Sequence, residues 1–340
     1  MTNNAERGAG SAGHKLRRRS LGIAAAGAAA LSLTLLVWLW VPLLAAADLL
    51  RGKRRLPMMR LVAFGAAMAW LELAGVTAAG WLWTTGRGRS VPANRRLQKW
   101  WAQKVMAALE RTCGLRPTVE GIEALRSGPL VLLVRHASLA DSLLTAWAVM
   151  HGAGMWPRVV MKKELLVDPC LDIVGNRLPN CFVDRAAADS APELAAIAAM
   201  GADMEAEECS VIFPEGTRSN PAKRERAIER IGESDEARAE RLAALEHLLP
   251  PRHSGAVALL SAAPHADVVF GWHAGFEGLD TFGGIIEAIG SGRRSALIHF
   301  DRIDRSEVPT GDEFGPWLDE KWLELDSAVG VALEAGVGTD

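Results

Sequence analysis

The 340-residue sequence has no tyrosine, no paired cysteine spacing and no charged residue from Ser20 to Ala47. The absence of paired spacings argues against a cysteine-based metal or redox motif, and we expect buried free thiols in a reducing compartment. The four cysteines are Cys113, Cys170, Cys181 and Cys209. The absence of charge over residues 20–47 has a larger consequence, because about 20 apolar helical residues suffice to cross a bilayer core.

A second apolar run follows the first. Residues 61–86 carry one charge, Glu72, and together the runs predict a two-helix membrane hairpin over residues 20–86, after a basic tail at 1–19. A cleaved signal peptide is the alternative for the first run, but its length and the second run favour an anchor. Cationic residues precede, separate and follow the runs, so their distribution sets no orientation. A hairpin that enters the bilayer without fully crossing it is a remaining alternative. In either case, the cationic flanks favour a surface of anionic lipids.

The remainder of the chain is acidic and alternates between strand and helix patterns. The net charge is +11 up to Arg96 and −13 after it. Short runs rich in Val, Ile and Phe predict strands, at residues 129–134, 158–161, 181–183, 209–213, 266–272 and 295–300. Helical segments between them predict an α/β domain over residues 98–335, with a mixed central sheet flanked by helices. A charged insertion at 220–254 predicts a helix pair broken near Gly232, for which we favour a solvated face over a partner-binding role.

Two candidate groups follow predicted strands. His136 precedes Asp141 by five residues, and a carboxylate on the far ring nitrogen would orient a histidine that acts as a base. The spacing alone is weak, because His299 and Asp304 repeat it in a charged exit from a late strand.

The second group lies in FPEGTRS, residues 213–219. A turn needs Gly216 but not a carboxylate and a guanidinium three residues apart, so Glu215 and Arg218 suggest a site. Mutual pairing of these two residues is the structural alternative.

Four blocks in order identify a resemblance. RHASLAD (135–141), MKKEL (161–165), GNRLPNCFVDR (175–185) and FPEGTRS resemble the membrane-bound glycerolipid acyltransferase family. LLPPRHSG (248–255) and the carboxy-terminal segment are similar to the branch of lysophosphatidic acid and lysocardiolipin acyltransferases. Departures are Arg135, where an Asn often precedes the histidine, the long insertion, and Leu325 in place of a lysine. They bear on acceptor choice more than on the reaction.

The resemblance implies roles for these residues. His136 would be the general base and Asp141 its orienting partner, with Ser138 and Ser142 as turn and cap residues. Arg218, together with Arg185, would bind an acceptor phosphate, since arginine offers several donors to phosphate oxygens.

Other members of the blocks have positional or weaker roles. Glu215 would accept a hydrogen bond from glycerol or hold an arginine in place. Gly216 would keep the loop open where the backbone approaches the ligand, and Thr217 belongs to the same substrate-binding block. Lys163 and Arg252 would meet the acceptor phosphate or the donor's phosphates, with surface solvation as the alternative.

The expected reaction moves a fatty acyl group from acyl-CoA or acyl carrier protein to the sn-2 hydroxyl of 1-acylglycerol 3-phosphate, giving phosphatidic acid. The alternatives are transfer to another lysophospholipid and a non-catalytic membrane-tethered lipid-binding protein. We expect no cofactor beyond the thioester co-substrate, a phospholipid membrane as partner, no nucleic acid, and a catalytic domain facing the cytoplasm, where such thioesters are made. The acidic body slightly favours CoA over an acidic carrier protein.

Overall fold

The structure is a computed structural model that describes residues 12–184, 190–292 and 295–338. The helices are α1 (Ala12–Leu35), α2 (Val37–Leu50), α3 (Pro57–Thr84), α4 (Val91–Cys113), α5 (Asp141–Trp147), α6 (Pro169–Val174), α7 (Ala191–Gly201), α8 (Pro221–Gly232), α9 (Glu236–Leu242), α10 (His253–Ala262), α11 (Phe282–Ser291) and α12 (Phe314–Glu334). The strands are β1 (Arg116–Glu120), β2 (Leu130–Val134), β3 (Trp156–Lys162), β4 (Cys181–Val183), β5 (Glu208–Ile212), β6 (Asp267–Ala274) and β7 (Ser295–Ile303).

The chain forms two compact units, each assembled from separate segments of the sequence. Their described parts are residues 12–115, 158–184 and 289–292 for the first unit, and 116–157, 190–288 and 295–338 for the second. The predicted domains, residues 20–86 and 98–335, are continuous stretches of the sequence, and their bounds stay predictions.

In the first unit, the first apolar run is two helices rather than one. The chain breaks at Leu36, and the helices on either side meet at 76°. The indole nitrogen of Trp40 donates to the carbonyl of Leu33 at 2.6 Å, which pairs a main-chain acceptor next to the break. The predicted two-helix hairpin therefore contains a bent first arm. Such a bent pair fits a broken span or a loop that enters and leaves on one side of a membrane.

The second run is the continuous helix α3, which is long and apolar enough to cross a membrane. Its one charged side chain, Glu72, is buried and accepts a hydrogen bond from the main-chain nitrogen of Cys170 at 3.2 Å. The basic flank ahead of the first run is also engaged inside this unit. Arg18 and Arg19 form ion pairs with Asp172 on α6, at 2.8 and 3.2 Å. Part of the positive charge that we expected at the lipid surface is thus bound by the protein itself.

The second unit contains a mixed sheet, which confirms the predicted fold class. Five of its strands lie side by side in the order β1-β7-β6-β2-β5. Only β6 and β7 run antiparallel in this series, and the other neighbours are parallel. Both β2 and β5 are buried along their whole length. The sequence of β2 is apolar throughout, as expected of a buried parallel strand, whereas β5 also buries Glu208 and Ser210. Because β6, β2 and β5 are parallel, their carboxyl ends meet at one sheet edge, which gathers the loops that follow them.

Helices cover this sheet and complete the core. Helix α10 packs against α7 and contacts β2 and β5, and α12 contacts β6. The charged insertion folds as the helix pair α8 and α9, with the break after Gly232 that its sequence predicts. Strand β1 was not predicted, because its sequence, RPTVE, has charged ends and an exposed alternate face.

Candidate active site

The turn between β2 and α5 is folded around a buried carboxylate. Oδ2 of Asp141 accepts hydrogen bonds from the main-chain nitrogens of Ala137 and Ser138, at 2.6 and 2.8 Å. The hydroxyl of Ser138 donates to Oδ1 of the same carboxylate. Asp141 is also the first residue of α5, where a negative charge is stabilised by the helix dipole. The carboxylate of Asp141, the residue that ends the turn, therefore holds the turn together by hydrogen bonds. Ser138 belongs to the turn, as we expected.

His136 contacts the same carboxylate. Its Nδ1 lies 2.9 Å from Oδ2 of Asp141. Since an ionised carboxylate can only accept, Nδ1 carries the proton in this pair and Nε2 keeps a lone pair. The side chain of His136 is 13% exposed, whereas that of Asp141 is fully buried. This arrangement can remove a proton from a hydroxyl group, with Asp141 fixing the tautomer and stabilising the imidazolium that forms.

A second histidine, which the sequence analysis missed, lies on the other side of Asp141. Nε2 of His273 is 3.3 Å from Oδ1 of Asp141 and 3.3 Å from the carbonyl oxygen of Arg135. His273 is buried on β6, and its ring packs edge-on against Phe276. No sequence motif marks it, because the contact depends on β6 lying beside β2 in the sheet.

The two histidines explain the acidity of Asp141. Burial alone would raise the pKa of this carboxyl, but the charge of His273 and the hydrogen bonds from His136 and His273 outweigh it. The pKa of Asp141 is therefore held well below its ordinary value, and the group stays ionised.

Arg135, which departs from the family pattern, has a structural role here. Its guanidinium is buried, with Nη1 2.9 Å from Oε1 of Glu277, and it also donates to the carbonyl of His273. Burial opposes ionisation of Glu277, but the charge and hydrogen bond of Arg135 prevail and lower its pKa. Oε2 of Glu277 accepts from the main-chain nitrogen of Gly275 at 2.8 Å. This pair ties the catalytic turn to the segment after β6.

Glu215 supports the same turn from the loop after β5. Its Oε1 accepts from the main-chain nitrogen of His136 at 2.6 Å, and its Oε2 accepts from that of Leu249 at 3.0 Å. The main-chain nitrogen of Ser219 donates to the carbonyl of His136 at 2.7 Å, and the ring of Phe213 packs on the imidazole. None of the hydrogen bonds found in the described residues joins Glu215 to Arg218, and the expected contact of Glu215 with glycerol or with an arginine stays a prediction.

Glu215 is also unusual in its ionisation. Its burial raises the pKa to about 8, against the opposing effect of the two main-chain donors. The main-chain N–H groups from His136 to Ala140 are all occupied, by Glu215, by Asp141, by the carbonyl of Leu279 and by the hydroxyl of Ser138. They hold the turn in shape, so a donor to a developing oxyanion has to come from elsewhere.

Gly216 and Arg252 meet at the next step of this loop. Gly216 has φ +67°, which favours glycine, and a Cβ there would lie 3.3 Å from Nε of Arg252. The main-chain nitrogen of Arg252 donates to the carbonyl of Pro214 at 2.9 Å. Gly216 therefore makes room for an arginine side chain as well as for the turn itself.

A cavity of about 650 Å³ opens beside this loop. Glu215, Thr217 and Arg252 line it, with residues of α8, α9 and the start of α10. The structure thus brings together most of the predicted site. Hydrogen bonds join His136 to Asp141 and to Glu215. Thr217 and Arg252 line one cavity, and Gly216 lies on the same loop as Thr217.

The remaining predicted residues are placed less closely. Arg218 is half-buried on the same loop, and its carbonyl accepts from Nζ of Lys223 at 2.9 Å. Lys163 belongs to the first unit, where it begins the 3₁₀ helix Lys163–Val167 after β3. Arg185 lies outside the described residues.

This chain is similar to known acyltransferases. Residues 116–269 match the Acyltransferase family model. A 122-residue stretch is 35% identical to mouse 1-acyl-sn-glycerol-3-phosphate acyltransferase epsilon, and it covers 33% of this chain and 32% of the mouse protein. The fold is similar to the crystal structure of the 1-acyl-sn-glycerophosphate (LPA) acyltransferase PlsC from Thermotoga maritima, with a TM-score of 0.51 and 15% identity over 82% of this chain and 96% of that one. The match to the mouse protein thus spans about a third of its length.

Proposed function

We propose that this protein transfers a fatty acyl group from a thioester to the sn-2 hydroxyl of 1-acylglycerol 3-phosphate, because residues 116–269 match the Acyltransferase family model. The product would be phosphatidic acid. The observation that carries the proposal is the His136–Asp141 pair, with Nδ1 2.9 Å from Oδ2 on a turn whose main-chain donors are all bound.

The reaction needs one base and no covalent enzyme intermediate. Nε2 of His136 takes the proton of the acceptor hydroxyl as its oxygen attacks the thioester carbonyl. The tetrahedral intermediate then breaks its carbon–sulfur bond, and the imidazolium returns the proton to the departing thiolate. Ester and free thiol are the products, so atoms and charge balance. Asp141 stays ionised throughout and stabilises the imidazolium, which its depressed pKa favours.

The acceptor's phosphate would bind beside the loop after β5. We assign it to Arg218 with Thr217 and Arg252, and extend the assignment to Arg185 and Lys163 on the motif alone. Arg218→Ala should raise the acceptor's KM about tenfold or more, because a hydrogen bond to a charged group is worth about 1.5–3 kcal/mol, and should leave kcat largely intact. An unchanged KM would contradict this assignment.

The helices before residue 115 would anchor the enzyme in a phospholipid membrane. Helix α3 is long enough to span it, and the bent pair α1–α2 is a second membrane-associated element. We place the catalytic domain on the cytoplasmic side, where acyl-CoA and acyl carrier protein thioesters are made.

The test is release of free thiol from a long-chain acyl-CoA by the purified protein in detergent, with and without 1-acylglycerol 3-phosphate. We expect release that depends on the acceptor, with phosphatidic acid as the lipid product. Release that depends only on a different lysophospholipid would reassign the acceptor. Absence of release with every thioester and acceptor, in protein that still binds the acceptor, would favour the non-catalytic lipid-binding alternative.

A further inference from the structure

The charged insertion sorts its charges by face. Residues 220–254 contain seven basic and seven acidic side chains, so the segment is neutral by count. The cavity beside the loop after β5 is lined by five of the seven bases and by none of the seven acids. The basic lining residues are Lys223, Arg226, Arg230, Arg238 and Arg252. The folded insertion therefore gives the cavity a positively charged lining, although the insertion has no net charge by count.

Not all of these cations are available to a ligand. Arg238 is held along its Nε–Nη2 edge: these two nitrogens lie 2.7 and 2.9 Å from the carboxylate of the buried Asp319. Its Nη2 also donates to the carbonyl of Pro251 and contacts Nε2 of His253. This network fixes α9 against α10 and α12, so Arg238 stabilises the lining of the cavity through contacts with the protein itself.

Arg226 and Arg230 are in a different situation. They lie four residues apart on α8, hence on one face of that helix, and both are exposed. Nε of Arg226 donates to the carbonyl of Ala222 at 2.9 Å, which leaves both terminal nitrogens of its guanidinium. Within the described residues, no hydrogen bond or ion pair holds the guanidinium of Arg230. Like charges at this spacing destabilise an isolated helix slightly, and a bound anion would reverse that cost.

The cavity is also partly apolar. Ala227 and Ile231 line it from α8, and Leu249, Pro250 and Pro251 line it from the opposite segment. Its volume of about 650 Å³ exceeds what a glycerol phosphate group fills, and it lies within the range of small-molecule sites. A matching ligand therefore carries anionic groups for the arginines and an apolar portion.

We propose that this cavity binds the 3′-phosphorylated adenosine diphosphate end of a CoA thioester. Arg226 and Arg230 would contact its phosphates, and the apolar residues would face its adenine. Thr217 and Arg252, at the end of the cavity beside the loop after β5, keep their assignment to the acceptor phosphate. This inference rests on the proposed function, since it names the acyl donor. Glu215 lines the cavity and accepts a hydrogen bond from the main chain of His136, so the cavity adjoins the catalytic turn. The pantetheine arm would then run from the phosphates at Arg226 and Arg230 to the thioester beside His136, because CoA carries its nucleotide and its thiol at opposite ends.

Binding of a donor fragment tests the site without turnover. The probe is adenosine 3′,5′-bisphosphate, titrated calorimetrically into the full-length protein in detergent at fixed ionic strength. Arg230→Gln should weaken binding about tenfold, and adding Arg226→Gln should weaken it further. Arg241→Gln is the matched control, because Arg241 is exposed on the neighbouring helix and does not line the cavity. Equal losses in Arg230→Gln and Arg241→Gln, or no binding by the unmodified protein, would overturn the proposal.

Donor kinetics assign the ligand. Arg230→Gln should raise the KM for palmitoyl-CoA about tenfold, which corresponds to about 1.4 kcal/mol, while the KM for palmitoyl-N-acetylcysteamine stays unchanged, because that thioester has no nucleotide. A rise in the acceptor's KM instead would give the cavity to the lipid headgroup and contradict the proposal. If neither thioester is turned over, the proposed function fails, and the binding experiment still decides whether the cavity takes the nucleotide.

Discussion

Two histidines in this protein, His136 and His299, each precede an aspartate by five residues, and the structure treats them in opposite ways. His136 pairs with Asp141 at 2.9 Å, as the offset suggests. His299 instead has Nε2 3.0 Å from Asp301 and Nδ1 3.5 Å from Glu120.

The backbone between the partners explains the difference. Strand β7 continues from His299 to Ile303, and an extended chain advances about 3.3 Å per residue, which carries Asp304 about 16 Å away. After His136 the chain has left β2 and turns into α5, so that the carboxylate folds back onto the ring. An offset of five therefore means proximity only where a strand ends in a turn.

Burial separates the two pairs as well. The side chains of Asp301 and Glu120 are 60% and 57% exposed, whereas that of Asp141 is fully buried. Exposed ion pairs are screened by water and contribute little. Three pairs of substitutions test this comparison. They set His136, Asp141 and Glu215 against their more exposed counterparts, which are His299, Asp301 and Glu120.

The histidines should differ most. His136→Ala removes the base, and general base catalysis contributes about 10²–10⁴-fold to rate, so we expect acyl transfer to fall to background while the protein stays folded in detergent. His299→Ala should retain activity within about twofold, although it loses stacking on Trp272. Acceptor-dependent thiol release measures both. Substantial turnover by His136→Ala at an unchanged melting temperature would remove the proposed mechanism.

The aspartates come next. Asp141→Asn keeps an oxygen for the turn but removes the negative charge and offers an amide to Nδ1 of His136, which disfavours the basic tautomer. We expect kcat to fall about 100-fold, within the range for general base catalysis. Asp301→Asn should have no measurable effect on kcat. Steady-state kinetics decide the comparison, and equal rates for the two variants would contradict the orienting role of Asp141.

The second histidine on Asp141 should have a smaller effect. His273→Ala removes the donor to Oδ1 and should lower kcat about tenfold. His273→Gln keeps an N–H at a similar position, so it should recover much of the loss, with the KM of both substrates unchanged. If Ala and Gln lower kcat equally at equal melting temperatures, His273 does not act through its hydrogen bond to Asp141.

The residues of the site that could be predicted from the sequence lie in two short loops, each of which follows a strand. His136, Asp141 and the Glu215–Arg218 loop are local patterns at strand ends, and parallel neighbouring strands bring such ends together. His273 and the partners of Glu215 could not be predicted in this way. They depend on which strands are neighbours and on where Leu249 returns to the loop, and both are properties of the folded chain.

The insertion and the N-terminal helices show the same limit. The helix pair α8–α9 can be predicted from the local sequence pattern. Which of its charged side chains line the cavity depends on the folded structure. The bend at Leu36 interrupts an apolar run whose hydropathy is continuous, and hydropathy does not report backbone direction. Strand β1 is defined by its pairing with β7 rather than by its own residues.

The glutamates should differ least, and mainly in pH dependence. Burial raises the pKa of Glu215 to about 8 from an ordinary value of 4.5, so its neutral form is favoured in the folded state. That contribution to stability is complete below about pH 4.5 and is lost as the pH rises through about 8. The melting temperature of the unmodified protein minus that of Glu215→Gln should therefore decrease from pH 5 to pH 9, by several degrees, since one pKa unit corresponds to about 1.4 kcal/mol. Glu120→Gln, at an exposed position, should give a constant difference over the same range. Parallel curves for Glu215→Gln would mean that this carboxyl does not titrate in its buried position between His136 and Leu249, and that its two main-chain donors hold it ionised throughout.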